Sequence, residues 1–264
     1  RFLKTSEKKY VFGLIIILSA AGCTYMDLPE NKALLSSITA QSTEEEPEKY
    51  GGNALIAGAI LSEVQELFHS FVKANLQDEY LMLVNKEVRL EESYEPKTLV
   101  LPNVSFTASS DKIVRVMEEK AAKALEELFE AAKEDGIILL ANSGYRSYSI
   151  QKNLYETNLR VKGRAHTEKY SAQPGASEHQ TGLAMDIVSE DYQSLNEGFD
   201  NTEAFKWLSE NAYKYGFILR YLEGKEDITG YAYEPWHFRY VGLPYSEYIT
   251  KNNLTLEEFI SNYQ

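Results

Sequence analysis

The chain has 264 residues, 44% of them hydrophobic, which is enough for one sizeable buried core beside a leader and tails. Its formal charge is −13, and the acidic excess grows once the basic start from Arg1 to Lys9 is set aside, so nucleic acid is excluded as a natural partner. Cys23 is the one cysteine, which rules out an internal disulfide and leaves stability to core packing and any bound metal.

The basic opening is followed by an apolar run from Tyr10 to Gly22, shorter than the ~20 residues that span a bilayer, so residues 1–22 read as a signal peptide. The run ends in Ala20-Ala21-Gly22-Cys23, which resembles the lipobox of bacterial lipoproteins and implies Cys23 as a lipidated first residue. An uncleaved anchor helix is the alternative, and both readings place the remainder outside the membrane. Residues 23–52 are polar and include Glu44-Glu45-Glu46-Pro47-Glu48, the composition of a flexible tether. Residues 53–77 carry Leu55, Ile56, Ile60, Leu61, Val64, Leu67, Phe68 and Val72 at the spacing of one amphipathic helix.

One domain is expected over 78–245. Tyr80 to Asn85 is a strand candidate, and Asp111 to Lys133 is a long helix with Ser110 as N-cap and Gly136 as stop. A buried strand from Ile137 to Ala141 leads into the turn Ser143-Gly144-Tyr145-Arg146-Ser147, and a helix follows from Tyr148 to Val161. Residues 162–176 read as a loop, Leu183 to Val188 as a strand and Glu203 to Tyr215 as a helix. Gly216 to Tyr221 and Trp236 to Val241 complete the strands, and the tail 246–264 holds one short helix capped by Thr255. Helices and strands mix without a βαβ rhythm, which indicates an α+β fold with a mainly antiparallel central sheet flanked by helices.

Four histidines occur, and two sit in informative surroundings. His179 belongs to Ser177-Glu178-His179-Gln180-Thr181-Gly182-Leu183-Ala184-Met185-Asp186, where a loop histidine precedes a carboxylate on an apolar strand. An unpaired aspartate buried there costs several kcal/mol or is forced to protonate, and a cation beside Asp186 resolves the conflict. Strand alternation puts Asp186 on the same face as small Ala184, which leaves room for a metal. His237 ends Glu234-Pro235-Trp236-His237, in which the proline holds Glu234 extended. That spacing lets the Glu234 carboxylate approach a metal-bound water without ligating the metal. His69 and His166 have no such context and read as structural. Each feature alone has an ordinary explanation: a satisfied core histidine, a Glu-Pro loop start, or a solvated Arg146 on a turn.

Together, Ser-x-His-x-x-Gly-x-Ala-x-Asp followed by Glu-x-Trp-His resembles the LAS family of zinc D-alanyl peptidases, with VanY-type and L,D-carboxypeptidases as its nearest relatives. The similarity runs from about Leu81 to Gly242 and includes Ser143-Gly144-Tyr145-Arg146-Ser147 with Gln151. It implies a LAS/hedgehog-like peptidase fold, with His179, Asp186 and His237 as Zn²⁺ ligands and Glu234 as the base for water attack. It further implies that Arg146 binds the substrate's carbonyl or carboxylate, a task suited to a guanidinium fork, while Ser177 and Gln151 hold the terminal residue. The implied reaction is removal of terminal D-alanine from peptidoglycan stem peptides by a monomer that is lipid-anchored outside the cytoplasm of a bacterium.

Other chemistries fit less well. Ser70-Phe71-Val72-Lys73, Ser109-Ser110-Asp111-Lys112 and Ser194-Leu195-Asn196 mimic parts of a serine carboxypeptidase, but no Lys-Thr-Gly follows. There is no His-Glu-x-x-His helix. Within the same fold, three alternatives stay open: an L,D-carboxypeptidase acting on tetrapeptides, a peptidoglycan endopeptidase, and a non-catalytic zinc-stabilised binding protein. The retained Glu234 opposes the last. Motif spacing does not separate D,D from L,D cleavage.

Overall fold

The computed structural model describes residues 65–264. The signal peptide, Cys23, the tether and the first half of the expected 53–77 helix lie outside the described residues. Residues 65–74 are helical as expected, and Phe68 and His69 lie against the ring of Tyr263 at centroid distances of 6.4 and 4.8 Å. This stretch groups with Tyr263 and Gln264, and Asp78–Asn262 forms a unit of its own.

In that second unit the central sheet has four strands in the order β3-β4-β6-β5, all antiparallel: β3 (Leu139–Ala141), β4 (Ala184–Ser189), β5 (Phe217–Leu219) and β6 (His237–Tyr240). A separate two-stranded ribbon pairs β1 (Leu99–Val100) with β2 (Met117–Glu118). The α+β expectation is therefore met. Helix α1 (Glu119–Glu134) lays one stripe, Ala121, Leu125, Leu128 and Ala132, against the sheet's Leu139, Met185, Ile187 and Phe238, and all of these are buried. The 4-, 3- and 4-residue steps of that stripe are those of one helical face.

Several boundaries differ from the sequence-based expectation, each for a physical reason. The long helix begins at Glu119 rather than Asp111. Asp111 caps only a short 3₁₀ turn, Lys112–Val114, and Met117–Glu118 is drawn into the ribbon with β1. Ile113, Val114 and Val116 are β-branched and resist helix continuation. Glu118 then caps α1, its carboxylate accepting from the Lys120 and Ala121 amides, and Gly136, at φ 80°, ends the turn beyond it as expected. Residues 80–85 form no strand. Asp78 caps a 3₁₀ turn, Glu79–Leu81, and the carbonyls of Tyr80 and Met82 accept from the Arg239 guanidinium instead of from a neighbouring strand.

Helix α2 (Tyr148–Lys162) is followed by α3 (Arg164–Tyr170), where only a loop was expected. Helix α4 (Glu203–Asn211) continues as a 3₁₀ turn to Tyr215, and a short α5 (Glu226–Thr229) precedes β6. The tail has two helices, α6 (Tyr245–Lys251) and α7 (Leu256–Ser261), rather than one. Thr255 does cap the second, in a reciprocal capping box with Glu258. Leu256 and Phe259 of α7 are fully buried, so this segment is part of the core and not a surface appendage.

Candidate active site

Three elements deliver the key side chains to one point. His179 sits in a 3₁₀ turn, Glu178–Thr181, that ends at Gly182 in the left-handed conformation, φ 71°. Asp186 lies in β4, and His237 opens β6 as its direct register partner. Glu234 begins a tight turn in which the His237 amide donates to the Glu234 carbonyl at 3.1 Å, with Pro235 at the position that proline favours.

His179 Nε2 and His237 Nδ1 approach Asp186 Oδ1 at 3.5 and 3.4 Å, and the three donor atoms lie within 4.8 Å of one another. All three residues are buried. Ligands about 2.0–2.1 Å from a tetrahedral zinc are about 3.3 Å apart, so these spacings suit that ion. Asp186 Oδ1 is buried and has no hydrogen-bond partner among the described residues, an arrangement that a cation would satisfy. The tautomer of His179 is also set. Its Nδ1 lies 2.7 Å from the Gly144 carbonyl, which can only accept, so Nδ1 carries the proton and the Nε2 lone pair faces Asp186.

The turn from Ser143 to Ser147 is the scaffold of the site. The Asp186 amide donates to the Ser143 carbonyl, the Arg146 amide to the His179 carbonyl and the Gly144 amide to the Val114 carbonyl. A Cβ on Gly144 would meet the Val116 carbonyl oxygen at 2.5 Å, so only glycine permits this close approach. Arg146 Nη2 lies 3.7 Å from Asp186 Oδ2, while Nη1 donates to Gln151 Oε1 at 2.8 Å. Gln151 in turn donates to the Ala172 carbonyl. Its amide is thus engaged at both ends with the protein, and it supports Arg146 more directly than it could a ligand.

A cleft of about 110 Å³ opens beside this cluster, lined by Arg146, Ser177, His179, Tyr221, Glu234 and His237 among others. The Glu234 side chain is 14% exposed, and its Oε2 lies 3.5 Å from His237 Nδ1. Burial pushes the Glu234 carboxyl up to about 7, against the pull of His237 and with the push of Asp186. Burial also drives the His179 imidazole down to about 4, aided by Arg146. His237 resists its own burial because Asp186 and Glu178 hold its charged form, which raises it to about 9. Burial opposes ionisation of Asp186 too, but His179 and His237 outweigh it and keep its carboxyl well below the usual range.

The family model of VanY D-alanyl-D-alanine carboxypeptidases matches residues 114–243. A solved VanY D,D-pentapeptidase in complex with Zn(II) is 33% identical, with a TM-score of 0.57 over 69% of this chain and 99% of that one. The chain belongs to the VanY family. The solved LdcB LD-carboxypeptidase is 48% identical, with a TM-score of 0.67 over 70% of this chain and 87% of that one. A putative carboxypeptidase of Bacillus subtilis, YodJ, is 50% identical over 180 residues, which are 68% of this chain and 66% of that protein.

This VanY-family site brings together every residue singled out from the motifs. His69 and His166 stay outside it, beside Tyr263 and Tyr170. Sequence reasoning passed over Glu178, although it stands next to His179, and the two arginines that neutralise it, Arg220 and Arg239. It also gave no position to Tyr221 and Tyr231. The Tyr221 ring packs 4.8 Å from that of His237, and the Tyr231 hydroxyl donates to the Ala176 carbonyl, fixing the segment that carries Ser177.

Proposed function

We propose that this chain is a zinc-dependent D-alanyl-D-alanine carboxypeptidase that trims peptidoglycan stem peptides, with His179, Asp186 and His237 as metal ligands and Glu234 as general base. The observation that carries this is the convergence of three buried donors within 4.8 Å of one another beside a cleft that holds both a carboxylate and a guanidinium. Zinc, when bound, supplies Lewis acidity and brings the pKa of a bound water to about 7.

The chain's own residues do the rest. Glu234 accepts the proton of the attacking water and returns it to the departing amine of D-alanine, for which a carboxyl near neutrality is well matched. Arg146, kept rigid by Gln151, pairs with the substrate's free carboxylate or with the developing oxyanion. Ser177, buried on the cleft wall, closes around the terminal residue. The test is release of D-alanine from stem pentapeptide and tetrapeptide, with and without chelator. Chelator-sensitive release from the pentapeptide is expected, and no release from either peptide refutes the assignment.

An L,D reading has its own support, because the LdcB LD-carboxypeptidase is 48% identical to this chain against 33% for the D,D-pentapeptidase. Release from the tetrapeptide alone would select it. A wall substrate places the activity outside the cytoplasm. We further assign residues 1–22 as signal peptide, Cys23 as the lipidated residue and 23–52 as tether of a monomeric enzyme. The support is the sequence pattern around Cys23. Cys23→Ser should release the protein from the membrane fraction, and an unchanged distribution would remove the anchor.

A further inference from the structure

Behind the site, on the side away from the cleft centre, lies a buried charge cluster with no part in the chemistry above. Glu178 is fully buried, and its two oxygens have different partners. Oε1 accepts from Arg220 Nε and from Arg239 Nη1, each at 2.7 Å. Oε2 faces His237 Nε2 at 3.4 Å. Both Oε2 and Nε2 are buried, and among the described residues neither has a hydrogen-bond partner elsewhere. Each is the partner available to the other, and a buried polar atom left alone is costly.

Strand geometry explains the convergence. His237 and Arg239 are two apart on β6 and so share a face, and Arg220, just past β5, donates its amide to the His237 carbonyl. Glu178 lies over this face and meets all three side chains. The cluster extends to the end of the chain, where Glu257 of α7 accepts from Arg220 Nη1 at 2.8 Å and Nη2 at 2.7 Å. Two carboxylates and two guanidiniums balance, so the group is neutral overall and tolerable in the interior.

We propose that Glu178 is a positioning residue for the metal site: clamped through Oε1 by Arg220 and Arg239, it uses Oε2 to hold a proton on His237 Nε2 and thereby keeps the Nδ1 lone pair aimed at Asp186. This rests on the assignment of His237 as a zinc ligand. A metal-ligating histidine whose second nitrogen meets a carboxylate is fixed in tautomer and ring orientation, and loss of such a partner costs about 10–100-fold in metal affinity. Mere neutralisation of the two arginines is a separate role, and it leaves zinc affinity unmoved as long as the charge is kept.

Three measurements on the full chain separate these roles: zinc competition against a chromophoric chelator, circular dichroism, and nitrogen-15 imidazole spectra of the zinc-loaded wild type. Glu178→Gln should bind zinc about 10–100-fold more weakly. Glu178→Asp keeps the charge that the arginines need but withdraws the oxygen from His237, and it should bind about tenfold more weakly at native ellipticity. In the wild type, His237 should show a protonated Nε2 shielded from solvent exchange. A folded variant with zinc affinity within about twofold of wild type overturns the proposal. So does an unprotonated His237 Nε2 in the loaded wild type, a result that decides the matter even if neither variant folds. A wild type that takes up no zinc overturns the ligand assignment itself, and the proposal with it.

Discussion

Glu234→Gln isolates the chemical step from the metal. The substitution is isosteric and leaves the three donor atoms untouched, so zinc stoichiometry should be unchanged and affinity should move by less than about tenfold. A positioned general base contributes about 10²–10⁴-fold, or about 2.7–5.4 kcal/mol at 1.36 kcal/mol per decade. The Glu234 side chain is only 14% exposed, so bulk water is a poor substitute for the missing carboxylate. The effect should therefore fall in the upper half of that range, about 10³-fold or more in kcat, with KM little changed because the peptide's carboxylate is held elsewhere, by Arg146. The assay is steady-state D-alanine release by variant and wild type at matched zinc content. A zinc-replete Glu234→Gln enzyme that keeps more than about a tenth of wild-type kcat would refute the role of this residue.

Further outcomes follow from the same geometry. Arg146→Lys loses the fork that reaches both Gln151 and Asp186, so kcat/KM should fall about 10²–10³-fold while zinc content, read by metal analysis, stays at wild type. Gly144→Ala drives a methyl to 2.5 Å from the Val116 carbonyl oxygen, and should cost about 1–3 kcal/mol in denaturant unfolding and weaken zinc binding by shifting the carbonyl that orients His179. Leu125→Ala, deep in the α1 stripe, should cost about 2–5 kcal/mol and lower Tm by roughly 10 °C, with kcat at low temperature preserved. Burial raises the Tyr240 phenol to about 12, with Glu118 adding to the push. A group with its folded pKa raised gives stability that is complete below the unfolded value of about 10 and is lost as pH climbs towards 12. Tyr240→Phe should thus flatten the fall of unfolding free energy across that window, and an unaltered slope would count against the assignment.

The α+β class and the site were legible in the sequence because they rest on two different signals. Apolar alternation around Asp186 marked β4, and the two motifs fixed which residues meet, even though His179 and His237 are 58 positions apart. The missed features were those in which tertiary partners overrule local preference. Residues 80–85 look like a strand by composition, yet their carbonyls are claimed by Arg239 from β6, a contact that no local pattern announces. The start of α1 was misplaced because Asp111 is a good cap with nothing helical behind it, while Glu118 caps the real helix after Met117 has joined a ribbon. Glu178 went unnoticed because a glutamate beside a histidine usually reads as a solvated neighbour. Its importance lies in arginines some 40 and 60 residues downstream, as the 42- and 61-residue separations of its hydrogen bonds show.

Asp186 and His237 face each other across a single rung of the β4–β6 ladder. Because side chains alternate from face to face, sliding either strand by one position would turn one of these two groups to the opposite side of the sheet. A misaligned hairpin would therefore be blind to the ion, while the correct one is rewarded by it. Capture of the metal then acts as a proofreading step in assembly: a molecule that has acquired its ion has already certified the alignment of its central strands.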